Sequence, residues 1–197
     1  MSKQRQAEIQ RTTRETEVLL RLELDGSGKN QIDSGVPFLD HMLTLFSVHS
    51  LCDLTVAARG DFEVDDHHTV EDIGVCLGKA IAEALSDKGG IQRYGEATVP
   101  MDESLARVVI DVSGRPYLSY QVTIPAERLG SFSTENVQEF FRALVNHAGI
   151  TMHIDLIRGN NSHHIVEAIF KAFGKAFARA VSKENTFGGV WSSKGIL

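Results

Sequence analysis

The sequence predicts an α+β fold that is internally duplicated: two similar halves, each a small mixed sheet with helices packed on one face. Two observations carry this. Residues 67–85 (HHTVEDIGVCLGKAIAEAL) align without a gap on residues 163–181 (HHIVEAIFKAFGKAFARAV), with ten of nineteen positions identical, where chance gives about one or two. Strand-like and helix-like runs also follow one another in the same order in both parts, and helices this amphipathic need a sheet to cover. A fainter echo pairs ELDGSG (23–28) with IDVSGR (110–115). The halves are placed at residues 10–92 and 93–190, followed by a tail at 191–197.

The first ten residues are polar and read as frayed. ETEVLLRLEL (15–24) alternates as a strand does, and DGSGKN (25–30) is a turn. Pro37 opens a helix to about residue 49, since its missing N–H would be unpaired in the first turn anyway. Leu39, Met42, Leu43 and Phe46 mark its apolar face. Residues 51–58 and 61–64 read as strands broken at Arg59-Gly60. Asp65 or Asp66 then caps the first HHxxE helix. In the second half, 104–112 and 117–124 are strands around a Ser113-Gly114-Arg115-Pro116 turn. Thr134 caps a helix whose apolar face is Val137, Phe140, Phe141, Leu144 and Val145. Thr151–Ile157 is a strand, and the second HHxxE helix runs to about 182.

Composition narrows the class. A hydrophobic fraction of 42% with 23% charged residues is ordinary globular usage over 197 residues. A net charge of −6 argues against a nucleic-acid footprint, which calls for a basic face. No run approaches the roughly 18 apolar residues of a membrane span, and MSKQRQAEIQ has no apolar signal segment. Cys52 and Cys76, in apolar surroundings, read as buried reduced thiols, and the compartment as cytoplasmic.

The chemistry lies in the doubled motif. His67-His68 with Glu71 returns as His163-His164 with Glu167, 96 residues on, and takes four of the eight histidines. On a helix each histidine lies about one turn from the glutamate, while the two adjacent imidazoles diverge by about 100°. They cannot chelate one ion together, so each histidine serves a different metal, and two metals per site is the simplest use of all six groups. One such dipeptide would be surface decoration. Two at equivalent places are not, because solvated positions drift after duplication, as Asp72/Ala168 and Glu83/Arg179 have. On the preceding helices, His41 and His49 are eight apart, as are Glu139 and His147. Aligning the halves on HHxxE sets Glu139 within two residues of His41. His49, His147 and His153 each also suit a purely structural hydrogen bond. Arg93 and Arg115 sit by Gly-containing turns, where charge-assisted bonds can hold an anion.

FLDHM (38–42), DDHHTVED (65–72), SGRPY (113–117), NSHHIVEAIFKAFG (161–174) and SSKG (192–195) together resemble the imidazoleglycerol-phosphate dehydratase family of histidine biosynthesis, over nearly the whole chain from RTTRET (11–16) onward. The resemblance implies conversion of imidazole glycerol phosphate to imidazole acetol phosphate plus water. It also implies two Mn²⁺ per site stabilising an imidazolate, and a 24-subunit homo-oligomer with active sites between subunits. It implies His41, His67, His68, Glu71, His163, His164 and Glu167 as metal ligands. The eighth ligand position, a histidine in many members, is Glu139 in VQEFF; either Glu139 or His147 supplies that ligand. The resemblance further implies Glu15 as the acid/base residue. It places His49, Arg93, Arg115, Lys171, Ser192, Ser193 and Lys194 among the substrate contacts, with the tail ordering over the site. Two competing readings are a dinuclear metallohydrolase and a non-catalytic metal-binding shell.

Overall fold

The structure is a computed structural model that describes residues 4–184 and 188–195. The first half runs β1 (Gln6–Thr12), β2 (Thr16–Glu23), β3 (Asn30–Asp33), α1 (Pro37–Ser50), β4 (Asp53–Gly60) and α2 (His67–Leu85). The second repeats that order as β5 (Tyr94–Met101), β6 (Ser104–Asp111), β7 (Tyr117–Gln121), α3 (Glu135–Ala148), β10 (Thr151–Arg158) and α4 (Ser162–Val181). A short hairpin, β8 (Arg128–Leu129) with β9 (Phe132–Ser133), is inserted before α3.

The two main sheets have the same topology. Their orders are β1-β2-β4-β3 and β5-β6-β10-β7. In each, the first three strands in that order pair antiparallel and the last pair is parallel. The duplication therefore extends well beyond the HHxxE helices into strand direction and register.

Several boundaries differ from the sequence reading. The residues read as frayed form most of β1, an edge strand in which Ala7 is buried and the polar residues face water or partners. Arg11 of that strand reaches Asp72 at 2.8 Å, so Asp72, read as solvated, is in fact buried. β3 and β5 were also missed: the first is short and polar, and the second carries Gly95 and Pro100. Residues 61–64 are a turn closed by Val64 N–H to the Asp61 carbonyl, not a strand. Thr134 holds the N-cap position of α3 but spends its hydroxyl on the Ala126 and Glu127 carbonyls. Both cysteines are free and buried as expected, and burial pushes each thiol up to about 11.

Each helix pair covers its own sheet, and the two helical layers meet, α1 on α4 and α2 on α3. The seam is aromatic: Phe46 of α1 stacks on Phe173 of α4 with centroids 4.6 Å apart. Burying such a ring contributes about 2–3 kcal/mol. Close approach explains a glycine that both copies kept. A Cβ on Gly78 would lie 2.5 Å from the Leu144 carbonyl oxygen, and one on Gly174 would lie 3.0 Å from that of Phe46. The two HHxxE helices are thus drawn against helices of the opposite half, which sets their first turns beside α1 and α3.

Candidate active site

The sharpest cluster lies where α1 meets α4. His41 Nε2 is 2.8 Å from Glu167 Oε1. His41, His163 and Glu167 offer donor atoms that all lie within 4.8 Å of one another. It is the one such group of three among the described residues. A carboxylate can only accept, so Nε2 of His41 carries the proton in the metal-free form. Lys171 Nζ stands 3.5 Å from Glu167 Oε2, one turn along α4. Burial pushes the Glu167 carboxyl up, but the His41 bond and the Lys171 charge outweigh it and hold it low.

The doublets behave as their geometry requires. The rings of His67 and His68 stand at 86°, and those of His163 and His164 at 88°. The second histidine of each is backed by a carboxylate at Nδ1. His68 faces Asp61 at 3.1 Å, with Glu15 at 3.9 Å, and His164 faces Glu103 at 2.7 Å. These carboxylates raise the pKa of both imidazoles, with Asp61 the largest cause at His68 and Glu103 at His164. Nε2 of each ring makes no hydrogen bond to these carboxylates, although Asp102 lies 3.9 Å from that of His164. At the helix starts, Asn161 accepts from the His163 and His164 N–H groups, and Asp65 from that of His67.

His67, Glu71 and Glu139 do not form a second cluster of the same kind among the described residues. The donor types differ between the halves: α1 carries His41 against Glu167, whereas α3 carries Glu139. Glu139 turns to Arg142 at 2.7 Å, and Glu71 is exposed. His147, the other candidate, directs Nδ1 to the Ala143 carbonyl at 2.8 Å. His49 is half-buried near Gly174, and burial, then Lys175 and Lys171, lower its pKa. His153 lies beside Tyr117, ring centroids 5.8 Å apart.

The anion-binding candidates split in two. Buried Arg93 is held by Asp111 at 2.6 and 3.1 Å and donates to the Trp191 carbonyl, next to Ser192, Ser193 and Lys194. Exposed Arg115 reaches the same Asp111 at 3.5 Å. Lys171 is elsewhere, 3.1 Å from the Met101 sulfur. Since Tyr94 pairs with Asp111 and Met101 with Ser104, the arginines and the metal-type cluster lie at opposite ends of β5. Seven strand steps separate them, about 23 Å. Ile196 and Leu197, the end of the tail reading, lie outside the described residues.

Sequence reasoning missed Asp61, Glu103 and Asp111. The signal for Glu103 was the MDES turn, opposite TTRET in the other half, which became visible only once β5 was known to be a strand.

A model of the family described as imidazoleglycerol-phosphate dehydratase matches residues 34–177. The curated imidazoleglycerol-phosphate dehydratase of Syntrophomonas wolfei is 63% identical over 197 residues, covering 100% of both chains. That of Desulfotalea psychrophila is 55% identical, covering 100% of this chain and 98% of its own. Among solved structures, imidazoleglycerol-phosphate dehydratase from Staphylococcus aureus has a TM-score of 0.83 at 48% identity, covering 90% of this chain and 99% of its own. The Pyrococcus furiosus structure also scores 0.83, at 36% identity, covering 96% and 100%.

Proposed function

The chain belongs to the imidazoleglycerol-phosphate dehydratase family, and on that premise we propose how its residues divide the work. It is a hydro-lyase of histidine biosynthesis that converts imidazole glycerol phosphate to imidazole acetol phosphate and water. The reading divides the chain into the halves 10–92 and 93–190 and the tail 191–197, working in the cytoplasm.

The donors suit divalent metal. Imidazole and carboxylate together fit Mn²⁺ among several ions, and the His41, His163 and Glu167 atoms within 4.8 Å are the observation that supports it. Two Mn²⁺ per site would be held by His41, His67, His68, Glu71, Glu139, His163, His164 and Glu167. When bound, the metals supply a hold on the substrate imidazole and stabilise negative charge on that ring.

The chain's own residues handle the rest. A proton leaves carbon, a hydroxyl leaves as water, and the resulting enol becomes the ketone. Glu15, exposed and 3.9 Å from His68, takes the carbon-bound proton and returns one to the departing hydroxyl. Arg93, Arg115 and Lys171 hold the phosphate, with His49 and the tail residues Ser192, Ser193 and Lys194 completing the contacts. The single observation behind a shared site is the length of β5. A small substrate cannot touch both ends of that strand, so cluster and arginines serve one substrate only if they come from neighbouring copies. That supports a homo-oligomer with intersubunit sites, taken to be a 24-mer.

Manganese-loaded protein incubated with imidazole glycerol phosphate should yield imidazole acetol phosphate. Hydrolysis of generic phosphate esters without dehydration would sink this reading in favour of a metallohydrolase. Glu15→Gln should reduce kcat by at least about 10²-fold, the low end of acid–base contributions, with manganese content unchanged.

A further inference from the structure

Glu103 stands where Glu15 stands in the other half. Each is the last residue before the second strand of its sheet, β2 opening at Thr16 and β6 at Ser104. Thr16 pairs with Gly60, and Ser104 lies against Gly159, where a Cβ would meet its Oγ at 2.5 Å. The same built atoms on Gly60 and Gly159 would meet Thr69 and Ile165, which are 96 residues apart like the doublets. The two glutamates are therefore counterparts by topology.

Their surroundings have diverged. Glu15 is exposed, and its nearest charged partner is His68 at 3.9 Å. Glu103 is fully engaged. One oxygen accepts from the Asn161 N–H at 2.9 Å, the Asn160 N–H at 3.4 Å and the Ser104 hydroxyl at 2.9 Å. The other accepts from His164 Nδ1 at 2.7 Å. The residue after the glycine differs as well. In the first half it is Asp61, which binds His68 Nδ1 at 3.1 Å; in the second it is the neutral Asn160. Each half has one carboxylate in hydrogen-bond contact with Nδ1 of the second histidine of its doublet, supplied from different positions, while Asp102 stands 3.9 Å from His164 Nε2.

We infer that Glu103 is a positioning residue: it fixes the ring and tautomer of His164 so that Nε2 is presented to a metal. Asp61 performs that task for His68, which leaves Glu15 unencumbered. An ionised carboxylate obliges Nδ1 to carry the proton, and the three donors on its other oxygen stop it from following the ring. The inference rests on the metal reading above.

The test is Mn²⁺ titration of metal-free protein by calorimetry, with thermal unfolding of each metal-free variant. Glu103→Gln keeps the size, but with its oxygen held by the Asn161 N–H it turns an amide N–H toward Nδ1. The imidazole proton then moves to Nε2, where a metal must bind. Affinity for one ion should fall by about 10–100-fold, the other ion should be unaffected, and the metal-free melting point should stay near wild type. In a His164→Ala background the same change should cost nothing more. Glu103→Asp keeps an acceptor-only group and should recover part of the loss; if the Gln variant does not fold, the Asp variant carries the same two readouts. Unchanged binding of both ions, or a loss that adds in full to that of His164→Ala, overturns the proposal. If His164→Ala itself binds manganese like wild type, the metal reading falls first, and the role of Glu103 falls with it.

Discussion

His41 Nε2 and Glu167 Oε1 meet at 2.8 Å across the boundary between the two halves. α1 brings the imidazole and α4 the carboxylate, so neither half builds the contact alone. Glu167 is only 6% exposed, which makes its partners decisive. In metal-free protein, His41→Ala should cost about 1 kcal/mol at neutral pH, the low end of the range for a buried polar group that loses a partner, because Lys171 still stands at the other oxygen. The sign with pH follows from the lowered pKa of Glu167. A depressed carboxyl contributes stability above its unfolded pKa and loses it as pH falls through the folded value. Urea unfolding of wild type and variant should therefore converge under acid. A gap that is constant with pH would rule out this account.

Acid should also release metal early. Glu103 raises the pKa of His164, and Asp61 that of His68, above the ordinary value of 6.5. A raised pKa means these imidazoles take up protons at a higher pH than a free imidazole does, and only the neutral form ligates. On acidification manganese affinity should begin to fall at a higher pH than an ordinary imidazole would give. The metal-free protein should show the opposite preference, because a raised histidine pKa contributes stability below the unfolded pKa and loses it as pH rises through the folded one. Equilibrium dialysis against buffered manganese, set beside unfolding of the metal-free form, checks both signs.

Glu139 and Arg142 offer a separate handle. The carboxylate is held at 2.7 and 2.8 Å by one guanidinium nitrogen. A metal must take Glu139 from that pair before it can use it. Arg142→Ala should tighten one manganese ion by a few fold, the scale of a partly exposed ion pair of about 0.5–1 kcal/mol. Glu139→Ala should lower the occupancy of one ion per site. If His147→Ala does so instead, the eighth ligand is His147, whose Nδ1 bond to the Ala143 carbonyl leaves Nε2 as the ligating nitrogen.

What could be read from the sequence follows from what each feature depends on. The HHxxE helices were legible because helical spacing and duplication are both local in sequence. The retained Gly78 and Gly174 were part of that signal, although their cause, two backbones in close approach, is visible only in three dimensions. β1, β3 and β5 were not legible: they are polar or carry Gly and Pro, and the sheet, not propensity, fixes them. With β5 unseen, the chain's largest site-level fact stayed hidden, that the arginines and the metal-type cluster sit at opposite ends of one strand. Carboxylates acting through other side chains, such as Glu103 and Asp111, have no spacing rule to announce them.

Asp111 should govern the anion-binding end. Arg93 is buried and sits at a φ of 68°, which a non-glycine residue adopts only when its surroundings compel it. Three contacts compel it: its N–H donates to the Ala180 carbonyl, its carbonyl accepts from Val112, and its guanidinium forks onto Asp111. The same carboxylate also draws Arg115 to 3.5 Å. Asp111→Asn keeps the shape but removes the charge that holds two cations together, so they repel and Arg93 loses one arm of its fork. If these arginines grip the substrate phosphate, KM should rise about ten-fold, or 1.4 kcal/mol, with kcat little changed, because the grip is on a part of the substrate that does not react. Arg93 also donates to the Trp191 carbonyl, so limited proteolysis should cut the tail faster in this variant. Unchanged KM with a faster-cut tail would show that Asp111 anchors the tail without ordering the phosphate grip. A fall in kcat at constant KM would instead move the arginines toward the reacting atoms and away from the phosphate.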